Sequence, residues 1–79
     1  MNNINLKIPG GSTVDILLDG STSFIVQNTS NSKLGFKLKT SLEDVAGGEI
    51  KPGEPLKFAD SIVVWTTDKA NASVYVLRN

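Results

Sequence analysis

The chain has 79 residues, room for one domain spanning 1–79, with eight basic residues balancing eight acidic ones and neither cysteine nor histidine. Zero net charge removes the field that draws a protein to nucleic acid or an anionic membrane, and the missing Cys and His remove disulfides, the usual zinc ligands and the bases of Ser-His-Asp and Cys-His catalysis. A chain this short buries only about 60 to 65% of the surface its unfolded form exposes, so self-association or docking on a larger partner is the remaining source of stability.

Asn3 to Ile8 alternates, with Ile4, Leu6 and Ile8 on one face and Asn5 and Lys7 on the other, the period of a half-exposed strand. Pro9-Gly10-Gly11-Ser12 is a turn cluster. Val14, Ile16 and Leu18 resume the alternation beyond it, which predicts a hairpin. Asp19-Gly20 suits a type I′ turn, whose central positions both need positive φ, and predicts a second hairpin to Ser23 to Asn28, with Phe24 and Val26 facing in.

Asn28 to Ser32 is a polar turn of residues that bond their own backbone. After it, Leu34, Phe36 and Leu38 share one side of a strand and Lys33, Lys37 and Lys39 the other, a lysine row that solvates a sheet face or guards an edge, a contact with an acidic partner being the rival reading. No aromatic accompanies the row, so the stacking platform of single-strand nucleic-acid binding is missing. Ser41 to Gly48 holds at most one helical turn, with Ser41 as cap, Asp44 as its reciprocal partner and Gly47 as the stop. Lys51-Pro52-Gly53-Glu54 fits a type II turn, and Pro55 makes Leu56 to Phe58 an edge strand.

Ile62 to Thr67 and Ala72 to Leu77 are apolar on both faces, and Asp68-Lys69-Ala70-Asn71 is expected to join them as a final hairpin. Together these are about seven or eight short strands at roughly 8–12-residue spacing. The expected fold is all-β: a small antiparallel β-sandwich, jelly-roll or Ig-like in topology.

No constellation for catalysis emerges. The eight serines and seven lysines, scattered through polar turns, make Ser-Lys neighbours a matter of chance. Glu43, Asp44 and Glu49 lie close in sequence but lack the alternating spacing of a calcium loop. No catalytic, cofactor-binding or metal-binding residue is expected, and no cofactor. Two sequons, Asn28-Thr29-Ser30 and Asn71-Ala72-Ser73, are near chance frequency for this composition.

The apolar second face is what needs a use. With Ile62, Val64 and Thr66 inward, Val63, Trp65, Tyr75 and Leu77 would share an outer face, while Leu17 and Ile25 fall opposite the inward residues of their own hairpin. These six are the expected interface. The reversed frame, with Trp65 in the core and Ile62 and Val64 outside, is the rival reading of the last hairpin. Either way an apolar face is left to be covered.

A strand ending at Asn28-Thr29-Ser30, the turn Gly48-Glu49-Ile50-Lys51-Pro52-Gly53-Glu54, then Leu56 and Phe58, Ile62-Val63-Val64-Trp65 and Val74-Tyr75-Val76 form a string of landmarks over residues 23–78. In these the chain resembles small β-sandwich virion proteins of tailed bacteriophages: capsid decoration proteins, head-fibre bases and tail-appendage modules. That resemblance implies a non-enzymatic virion part, commonly a homotrimer, that clamps onto a capsid or tail. The single compact module, without a fibre repeat, favours capsid decoration over a tail or head-fibre adaptor. A carbohydrate-binding module stacking sugars on Trp65 and Tyr75 is the reading from another class. The first residues lack the basic start and apolar stretch of a signal peptide, so assembly in the host cytoplasm into a virion is expected, with no nucleic-acid or membrane partner.

Overall fold

Residues 3–41 and 47–78 are described by a computed structural model of the chain. They form eight strands: β1 Asn3–Ile8, β2 Thr13–Ile16, β3 Phe24–Asn28, β4 Leu34–Leu38, β5 Gly48–Ile50, β6 Pro55–Phe58, β7 Ile62–Thr66 and β8 Ala72–Arg78. The chain doubles back between β4 and β5, so that β4 pairs with β5, β3 with β6, β2 with β7 and β1 with β8, all antiparallel. Successive pairs fall in alternate sheets, ordered β1-β8-β3-β6 (sheet A) and β2-β7-β4-β5 (sheet B), and the pairings β3·β8 and β4·β7 close the middle of each. This is a ribbon of paired strands wound into a two-sheet sandwich, the topology of a jelly roll.

Three expected hairpins are instead crossings. Pro9 to Ser12, Leu17 to Ser23 and Thr67 to Asn71 each carry the chain from one sheet to the other, and only β4 and β5 are consecutive and paired. Four residues at about 3.3 Å each outreach the roughly 10 Å between packed sheets, so even the shortest connector permits either outcome. Packing then decides. The apolar rows of β1 and β2 face one another across the core rather than lying side by side. The turn chemistry itself is as read: Asp19 (φ 51°) and Gly20 (φ 85°) form the I′ geometry, and the Ser21 N–H donates to the Leu18 carbonyl at 3.0 Å. At the Pro52-Gly53 turn, Gly53 has φ 79° and the Glu54 N–H donates to the Lys51 carbonyl at 3.0 Å, as type II requires.

The core takes alternate residues from both sheets: Ile8, Val26, Val74 and Val76 from sheet A meet Ile16, Leu34, Ile50, Ile62 and Val64 from sheet B, all fully buried. On the β5/β6 side, Phe58 stacks at 5.7 Å from Phe24 and meets Phe36 of the other sheet edge-on at 4.9 Å. Asn28 is the buried polar fastening. Its Nδ2 donates to the Ser32 and Ile50 carbonyls (2.6 and 3.1 Å), and its Oδ1 accepts from the Ser30 N–H and hydroxyl (2.9 and 2.7 Å). Every polar atom of that side chain is satisfied inside the fold, which leaves the Asn28 sequon nothing to present. Ser41 and Gly47 flank the segment in which one helical turn is expected, and its residues 42–46 lie outside the described ones.

Candidate functional site

Strand alternation places all six expected interface residues outside the core, but on three separate parts of the surface. Ile25 and Leu77 pair across β3 and β8 on the outer face of sheet A, with Tyr75 opposite Gln27 in the next row. Val63 and Trp65 lie on the outer face of sheet B, Val63 between Asp15 and Lys37, and Trp65 between Thr13 and Gly35. Leu17 follows β2 at one end of the sandwich. The single shared face read for Val63, Trp65, Tyr75 and Leu77 is therefore divided. β7 and β8 belong to opposite sheets, so outward residues of the two strands point in opposite directions.

The reversed frame does not occur, since Ile62 and Val64 are fully buried and Trp65 is half-buried on the outside. Its indole lies on the backbone of Gly35, so close that a Cβ at residue 35 would come within 2.8 Å of ring atoms Cε2 and Nε1. A glycine in a central strand leaves a bare patch of backbone, and a cross-strand aromatic that covers it offsets that loss. Open, shallow grooves flank the ring, one of them walled by Lys37 and Val63. Trp65 and Tyr75 stand on opposite faces and do not form one stacking platform.

The lysine row also resolves. β4 is an interior strand, so Lys37 lies on the outer face of sheet B and guards no edge, while Lys33 and Lys39 flank the strand. Lys39 is ion-paired with Asp15 of β2. Of the three neighbouring carboxylates, Glu49 is exposed on β5, and Glu43 and Asp44 lie outside the described residues.

The fold gathers something more at one end. The four large apolar side chains left exposed among the described residues, Ile4 (36%), Leu17 (45%), Ile25 (36%) and Leu38 (43%), all lie toward the end where β1 and β3 begin and β2, β4 and β8 finish. Ile4 and Leu38 continue the inward rows of their strands, opposite Val76 and Ile62, yet the layers stop before covering them. Arg78 ends the inward row of β8 opposite Phe24 and is 8% exposed. Its Nε–H donates to the Leu17 carbonyl at 2.9 Å. The period of β8, carried one step past Val76, points Arg78 inward, and that signal was present in the sequence.

No family model matches the chain, and no curated protein or solved structure matches it.

Proposed function

We propose that the chain is a non-enzymatic structural protein of a tailed-phage virion, which self-associates and docks on the capsid shell to stabilise it. The observation that carries this reading is the exposure of Ile4, Leu17 and Leu38 at one end of a core that is otherwise closed, with Ile25 on the adjoining outer face of sheet A. Scattered exposed apolar residues need no explanation, but a cluster on one part of a small domain marks a contact surface. Burial of that surface, with little reaction chemistry at hand, is the mechanism of a clamp. The jelly-roll topology is shared by viral coat and lectin domains, an analogy at the level of fold. Between the two, the separation of Trp65 and Tyr75 onto opposite faces favours the coat reading.

Co-sedimentation tests it. The purified chain, mixed separately with heads and with tails of the phage that carries its gene, is expected to pellet with heads at a saturating, symmetric copy number. Pelleting with tails alone would move the function to an adaptor, and pelleting with neither would end the virion reading.

A further inference from the structure

Arg78 is the one charged side chain among the described residues that is buried, and no carboxylate pairs with it there. A buried guanidinium ordinarily has a counter-ion, because an ion leaves water at a cost that an opposite charge offsets. One of its five N–H groups is used, on the Leu17 carbonyl; the four on the two Nη atoms have no partner among the described residues. Neither Nη is among the fully enclosed unpartnered atoms, so both still reach the surface at this end of the sandwich. An unpaired anion is close by in the chain. Asp19, two residues beyond Leu17 at the tip of the I′ turn, is exposed and makes no ion pair among the described residues.

Among the described residues this end thus carries a cation without its anion, an anion without its cation, and exposed Leu17, Leu38 and Ile4. A surface holding both halves of its own complement fits a second copy of itself, which is the requirement of a contact between identical chains. We propose that this end is the self-association surface, on which Arg78 of one copy takes the Asp19 carboxylate of the next while Leu17, Leu38 and Ile4 leave water together. The four free N–H groups match a carboxylate in two-pronged fashion. An end of the sandwich is its narrow side, spanning the 17 Å extent, so the contact it offers falls at the small end of interface sizes. Association through it is weak and reversible. The inference rests on the reading that the chain self-associates.

Light scattering over a concentration series of the whole chain, freshly prepared, tests it with three variants. Asp19→Asn keeps a residue that tolerates positive φ and is exposed; Arg78→Met removes the charge at similar volume; Glu49→Gln, exposed on β5 opposite Gly35 and away from this end, makes the same change of net charge as Asp19→Asn. Asp19→Asn and Arg78→Met are each expected to weaken association tenfold or more, with Glu49→Gln within twofold of the parent. The thermal midpoint should hold in Asp19→Asn; Arg78→Met removes a buried ion but also the donor to the Leu17 carbonyl, so its midpoint is measured beside its mass. If Arg78→Met does not fold, Asp19→Asn decides. A parent that associates but ignores Asp19→Asn, or loses as much from Glu49→Gln, overturns this contact and leaves self-association standing. A parent that stays a single chain at millimolar concentration overturns both.

Discussion

Gly35 and Trp65 behave as one unit, because the indole occupies the space a side chain at residue 35 would need. Gly35→Ala is therefore expected to lift the ring toward solvent, seen as a red shift and stronger quenching of the only tryptophan's emission, whereas an unchanged spectrum would mean the ring does not rest there. Thr66 gives a test of opposite sign. Its Oγ1 is buried opposite Leu34 with no hydrogen-bond partner among the described residues, so Thr66→Val should stabilise the fold by about 1 kcal/mol in urea unfolding. A loss instead would reveal a partner for the hydroxyl. Asn28 is the contrary case, since its removal strands the Ser32 and Ile50 carbonyls; Asn28→Ala should cost about 3 kcal/mol or more by the same measurement. Inward Thr66 was legible from alternation beside Ile62 and Val64. The seat of Trp65 on Gly35 was not, because it depends on the register between β4 and β7.

At the scale of elements, what each segment does locally was readable and whom it pairs with was not. Pro52-Gly53 and Asp19-Gly20 adopt the turns their residues select, and β6 lies at a sheet edge as Pro55 requires. Pairing is a contest among distant strands. The alternation of β1, with Ile4, Leu6 and Ile8 on one face, fits β8 as well as it fits β2, and nothing within either strand distinguishes them. The observed pairing brings the β1–β2 and β7–β8 crossings together: the Gly10 N–H donates to Asn71 Oδ1 at 2.9 Å, and a Cβ at Gly10 would fall 2.0 Å from the Lys69 carbonyl oxygen. Gly10→Ala is expected to destabilise the protein by about 2 kcal/mol or more, as forced overpacking does. A neutral effect would place those loops apart and return β1 and β2 to the hairpin that sequence alone suggests.

The candidate surface belongs to the whole molecule, and only part of it was visible beforehand. Leu17, Ile25, Val63, Trp65, Tyr75 and Leu77 each fall outside the core, as their phase in the alternation implies, but the winding of the ribbon parts them. Ile4, Leu38 and Arg78 have inward phase and become surface only because the strands outrun the opposing layer, which no period reveals. Those residues make the end of the sandwich the place where a chain with no disulfide can gain further burial. The most direct check is the mass of the unmodified chain in solution, followed by sedimentation velocity from low micromolar to millimolar concentration. Reversible growth from one chain to a small closed assembly is the expected result; a single-chain mass over the whole range, with a folded spectrum throughout, would contradict it.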